Sequence, residues 1–154
     1  MTEALSIVGR EYRSARPYEV SREKIREFAD ALNDPNPVYR DSAAAHALGH
    51  PDVVAPPTFA MVIQAPTVDS LFNDPTLGIE YSHVVHGEQR FAYNRPVHAG
   101  DVLDTVVTIE DVRSIGGNEM ITYRSDITTT GGEPVLVARS LIVVRGGGTG
   151  GDAV

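Results

Sequence analysis

The sequence predicts an α+β fold in which a curved antiparallel sheet wraps around one long central helix. Three observations lead there. Apolar residues recur at helical spacing in the first half, through Ile25, Phe28, Ala29 and Leu32, and again through Phe59, Val62, Ile63, Val68, Leu71 and Phe72. From Glu80 onward the pattern changes to runs rich in β-branched residues, at 81–96, 101–114, 120–130 and 134–144. Turn signals separate those runs at His98-Ala99-Gly100-Asp101, Gly116-Gly117-Asn118 and Gly131-Gly132-Glu133. Consecutive strands joined by short turns make an antiparallel sheet, and a long apolar helix needs a face to cover.

The elements follow in order. Residues 12–20 are mixed and leave room for one short strand. Ser21 is a good N-cap for the first helix, with Lys24 rather than Glu three positions on, and Asn33 and the prolines behind it stop that helix. Asp41 caps a short second helix over 42–48, which Gly49 terminates. Residues 51–57 must be extended, because three prolines forbid a helix there. Thr58 can then cap the central helix, which Pro66 should bend or split. A sheet curled around such a helix is the hot-dog layout. Residues 1–145 are expected to form a single domain of that kind, with a glycine-rich, disordered tail over 146–154.

Composition excludes several function classes. The chain has 154 residues, 42% of them hydrophobic and 22% charged, as in an ordinary water-soluble domain. No apolar run approaches the ~20 residues that span a bilayer, and the first residues open no signal peptide. The absence of cysteine excludes disulfides and thiol catalysis and fits a cytoplasmic location. A net charge of −8 disfavours nonspecific binding to nucleic acid. No pair of the five histidines stands at metal-ligand spacing with a carboxylate as in a zincin motif, and no phosphate loop, dinucleotide fingerprint or nucleophile elbow is present, so neither a metal nor a cofactor is expected.

The densest chemical signal is Asp34-Pro35-Asn36-Pro37-Val38-Tyr39, with Phe28 before it and Ala45 after it. Taken alone, the run is a turn, since Asp, Asn and Pro dominate turns for conformational reasons. In context it resembles the signature of the MaoC-like (R)-specific hydratases and dehydratases, in which a Gly-Asp-x-Asn-Pro-aliphatic-His run follows an aromatic residue. Phe28, Asp34, Asn36, Pro37, Val38 and Ala45 fall in register with that pattern, while Asn33 stands for its glycine and Tyr39 for its histidine. The resemblance implies an Asp/His pair that holds the water added to, or removed from, an acyl thioester. A phenol titrates near ~10 and is a poor base at neutral pH, so Tyr39 marks a degenerate position. A segment before the central helix departs as well. Where the family has His-Gly, whose glycine N–H receives the thioester oxygen, this chain has Ala55-Pro56, and proline has no N–H. Thr58 is the first residue past Ala55 with a donor to offer.

This doubly altered form is similar to the HadA-type and HadC-type subunits of heterodimeric (3R)-hydroxyacyl-carrier-protein dehydratases, in the MaoC N-terminal-domain group. The shared features are Ile7-Val8-Gly9, Tyr18-Glu19-Val20, the helix over 22–27 and the Ala55-Pro56-Pro57-Thr58-Phe59 run, while Arg95-Pro96 ahead of the Gly100-Asp101 turn resembles MaoC-like domains in general. The resemblance implies an acyl-CoA or acyl-carrier-protein thioester as ligand. It also implies a dimer, formed with a second copy or with a catalytic subunit that supplies Asp and His. On that basis Asp34 and Tyr39 occupy the old catalytic positions, and Asn36, His50, Ala55, Thr58, Phe59 and Val62 are candidates for contact with the acyl thioester. Three functions remain open. The chain is a subunit lacking its own full dyad, a self-sufficient homodimeric hydratase using Asp34 with Tyr39 or a nearby histidine, or an acyl-CoA-binding protein without turnover.

Overall fold

The computed structural model describes residues 6–146, so the expected tail lies outside the described residues beyond Gly146. Helix α1, Arg22–Ala31, starts where the Ser21 hydroxyl accepts the Lys24 amide at 3.1 Å. It buries Ile25 and Ala29 and stops at Asn33, whose φ of 54° is a left-handed conformation that asparagine tolerates. Helix α2, Ser42–Ala47, starts on the Asp41 carboxylate, which accepts the Ala43 amide at 2.9 Å, and Gly49 closes it at φ 87°.

The central helix α3, Ala60–Phe72, differs from expectation at its start. Pro57–Phe59 forms a 3-10 turn that leads straight into it, so helical backbone begins before the Thr58 hydroxyl could act as a cap, and no side chain caps α3. Pro66 does not split the helix. It stands on an exposed side, where water can take the carbonyl left without a donor, while Ile63, Val68 and Leu71 hold the other side in the core.

Six strands form one antiparallel sheet: β1 (Glu11–Arg13), β2 (Tyr18–Glu19), β3 (Val84–Tyr93), β4 (Val102–Ile115), β5 (Asn118–Thr129) and β6 (Pro134–Val144), in the order β1-β4-β5-β6-β3 with β2 also on β4. Three expectations are corrected. The region before α1 holds two short strands rather than one, both on the edge of β4. Tyr81–His83 is a 3-10 turn, not strand. And β3, although next to β4 in sequence, crosses to pair with β6, which leaves it at the far edge. The β4–β5 hairpin closes on Gly116 (φ 59°) and Gly117 (φ 78°), the two left-handed residues that a tight hairpin turn matching the strand twist requires. Inward residues such as Leu103, Val107, Ile127 and Ile142 bury against α3.

The two ends of α3 are anchored differently. Phe59, fully buried at the start, meets Phe28 edge-on at 5.4 Å and Tyr18 at 6.3 Å. Past the other end, the Asp74 carboxylate accepts bonds from Tyr12 Oη at 2.7 Å, Arg10 Nη1 at 3.1 Å, and the Thr76 amide and hydroxyl at 2.9 and 2.6 Å. The residues around β1 are thereby strapped to the end of the helix.

Candidate functional site

The segment leading into α3 is held on both sides. Val54 donates to the Val38 carbonyl at 3.0 Å, Ala55 donates to Val97 at 2.8 Å, and Ala99 donates to Val53 at 3.0 Å. Extended backbone is the only conformation open to this proline-rich stretch, and these bonds make it a bridge between the Asp34–Tyr39 turn and the loop after β3. An open cleft of about 460 Å³ lies beside the bridge. It is lined by Val38 and Tyr39, by Val54, Ala55 and Pro57 of the bridge, by Leu48 and His50, and by residues 93–96 at the end of β3.

The cleft brings together Tyr39, His50 and Ala55 of the residues singled out in the sequence. Asp34 and Asn36 lie outside its lining and make successive turns. The Asp34 carboxylate accepts the Asn36 amide at 3.1 Å, and the Asn36 side-chain oxygen accepts the Val38 amide at 3.0 Å. Asp34 nevertheless acts on its neighbour. Burial first, then the Asp34 charge, raises the Tyr39 phenol above its ordinary value. Both effects disfavour the phenolate, so Tyr39 stays protonated at neutral pH and cannot take a proton as the imidazole of the resembled pattern would. Its hydroxyl has no hydrogen-bond partner among the described residues.

Of the remaining candidates, Phe59 is core and Val62 packs against it; neither lines the cleft. Thr58 is exposed at the mouth of the helix. The amide accounting there is decisive. Ala55 gives its N–H to Val97, Pro56 and Pro57 have none, and Phe59 gives its own to the Pro56 carbonyl at 2.9 Å. Within residues 55–59, only Thr58 keeps a backbone donor with no partner among the described residues.

Sequence reasoning passed over Leu48, Tyr93 and Asn94 as site residues and assigned Arg95-Pro96 only to a turn. Tyr93 donates its hydroxyl to the Pro57 carbonyl, and burial lifts its phenol to about 12. Arg95 is clamped by Asp101, two bonds at 2.9 and 3.0 Å, and by Glu133 at 2.8 Å, contacts that hold its guanidinium more firmly protonated. Asp101 also accepts the His98 amide at 3.0 Å, so the Gly100-Asp101 signal reflects a buried carboxylate that fixes the loop carrying Arg95. No local sequence signal marks these residues, because they stand at the end of a strand whose pairing with β6 is long-range, and Tyr93 reaches Pro57 from there. Among the described residues no cluster of three metal-ligating side chains exists, and no helix is long and apolar enough to cross a membrane.

A curved sheet around a central helix, with a cleft at the helix start beside an Asp-x-Asn-Pro turn, defines a hot-dog protein of the MaoC-like dehydratase class. The chain belongs to the family described as FAS1-like, dehydratase domain region, whose model matches residues 6–138. A curated relative from Saccharopolyspora erythraea, named only UPF0336 protein, is 52% identical over 141 residues, covering 92% of this chain and 90% of the relative. Among solved structures, the C-terminally truncated HadBC (3R-hydroxyacyl-ACP dehydratase) complex from Mycobacterium tuberculosis matches with a TM-score of 0.82 and 31% identity, over 89% of this chain and 96% of that one. A MaoC-like dehydratase matches with a TM-score of 0.84 and 34% identity, over 91% of this chain and 42% of that longer one.

Proposed function

We propose that this chain is the acyl-thioester-binding subunit of a (3R)-hydroxyacyl-thioester dehydratase, or enoyl hydratase, of fatty-acid metabolism, and that it works paired with a subunit carrying an intact Asp/His dyad. The observation that carries the reading is the amide accounting from Ala55 to Phe59: the position that supplies an oxyanion donor in the resembled hydratases is proline here. Losing one such donor costs roughly 100- to 1,000-fold in comparable sites. The protonated phenol of Tyr39 supports the same reading, because no group at that position accepts a proton at neutral pH. The match to a dehydratase described as a two-component complex supports the pairing. The ligand is an acyl-CoA or acyl-carrier-protein thioester.

The test is hydration of crotonyl-CoA by the purified chain, alone and mixed with a MaoC-like subunit bearing the complete Gly-Asp-x-Asn-Pro-x-His pattern. The expected result is no turnover alone and turnover on mixing, unchanged by Tyr39→Phe. Turnover by the chain alone would sink the subunit reading. His50 favours a second reading, a self-sufficient homodimer, because it faces the same cleft as Tyr39. In that case Asp34→Asn or His50→Ala would remove most activity of the lone chain, since a general acid or base contributes about 100- to 10,000-fold.

A further inference from the structure

A second cavity, of about 310 Å³, lies along the other part of α3 and shares no lining residue with the cleft at its start. Met61, Gln64, Val68 and Phe72 line it at successive helical turns, and Tyr123 and Ile142 face them from the sheet. Apolar and polar groups share this surface: Asp69 and His86 line it at exposed positions, and Gln64 is the polar group buried within it. Its side chain is only 1% exposed, yet its Oε1 has no hydrogen-bond partner among the described residues. Its Nε2 donates only to the Met61 sulfur at 3.2 Å, and a thioether is a weak acceptor. A buried carboxamide held this loosely costs free energy that an apolar side chain of the same length would not. Its terminal torsion is soft, so the amide can turn toward whatever occupies the cavity.

We propose that this cavity is a small-molecule site for a largely apolar ligand carrying one hydrogen-bond donor, an alcohol or an amide N–H, which the Gln64 carbonyl accepts. An apolar cavity of ~150 Å³ takes benzene, so this volume admits a body on the order of eight heavy atoms. Gln64 selects against a bare alkyl chain, because such a chain would leave its buried carbonyl unpaired. The assignment rests on the cavity and its glutamine and is independent of the dehydratase reading.

The test is calorimetric titration of the full chain with 1-heptanol and with its isomer hexyl methyl ether, which has the same atoms and no donor. Heptanol is expected to bind about five- to tenfold more tightly, the worth of one neutral hydrogen bond. In Gln64→Met that preference should fall to about one. Ala65→Phe, at an exposed position on the cavity wall where folding tolerates the change, should weaken both ligands by about tenfold or more. Equal affinity of the two isomers for the unaltered protein, a preference that survives Gln64→Met, or no binding of either would each overturn the proposal. Should Gln64→Met fail to fold, Ala65→Phe decides: unchanged heptanol binding there would place the ligand elsewhere and overturn the assignment. Neither readout involves turnover, so failure here leaves the crotonyl-CoA result standing, and the reverse.

Discussion

The two ends of the central helix are built on opposite principles. At its far end every acceptor position of Asp74 is taken, by Arg10, Tyr12 and Thr76, and the residues around β1 are tied down with it. At its start no side chain caps the helix, two prolines withhold their donors, the Thr58 amide is unbonded, and a cleft opens beside it. Yet the open end is not loose. Phe59 is fully buried between Phe28 and Tyr18, and the bridge over 53–55 is bonded on both sides. The difference teaches that rigidity and polar satisfaction are separable: the far end is fixed by hydrogen bonds, the near end by packing that leaves the Thr58 amide without a partner among the described residues.

That contrast can be broken or sharpened by mutation. The largest effect should come from Phe59→Ala, which empties the packing centre of the open end and should cost about 3–5 kcal/mol in denaturant unfolding; a loss below about 1 kcal/mol would mean that packing does not fix this end. Next comes Asp74→Asn at the clamped end. The Thr76 hydroxyl above all, then Tyr12, the Thr76 amide and Arg10, hold this carboxyl well below the usual range. A depressed carboxylate contributes stability that is present above its unfolded value near ~4 and is lost as pH falls toward its folded value. Thermal midpoints should therefore fall on acidification below about pH 4 in the unaltered protein and fall less steeply in Asp74→Asn. Parallel curves would mean that the clamp is not electrostatic.

Tyr93→Phe removes the hydroxyl that reaches Pro57 and should cost about 0.5–1.5 kcal/mol at neutral pH. Its phenol is raised, so the sign reverses. The contribution is present below the unfolded value near ~10 and is lost as pH rises through about 12. Absorbance titration at alkaline pH should lose one of its two latest tyrosine steps in the variant, the other belonging to Tyr12, which burial also lifts to about 12. The smallest change is expected at Ser125→Ala, between the two ends. The Ser125 hydroxyl is fully buried without a partner among the described residues, so its removal should be neutral or stabilising, by up to about 1 kcal/mol in the same unfolding assay.

Much of this architecture was legible because local chemistry and tertiary packing agree. Ser21, Asp41, Asn33 and Gly49 punctuate the helices where their backbone preferences demand, and Gly116-Gly117 closes its hairpin. The crossing of β3 to β6 was not legible, since nothing local in residues 84–93 distinguishes a partner 50 residues away from the next strand along. The site divided in the same way. Tyr39 and Pro56 announced themselves by residue type, because a phenol and a ring nitrogen cannot do what the resembled pattern needs. Tyr93 and Arg95 could be placed only through that crossing. Gln64 was readable in principle as an amide in an apolar stripe, but only burial turns it into an unpaired one.

The same crossing governs the order in which the molecule can assemble. A helix carrying Pro66 inside it has little stability in isolation, and α3 gains its partners on the four long strands only after it has been made. The β3 strand in turn waits for β6, which the ribosome delivers last of all the strands. During synthesis, therefore, the apolar face of α3 and both edges of β3 remain open until residue 144 has emerged. Closing such distant pairs is slow relative to local hairpins, so the β4–β5 hairpin should form before β3 docks, and an unpaired β3 is the edge most exposed to wrong pairing in that interval.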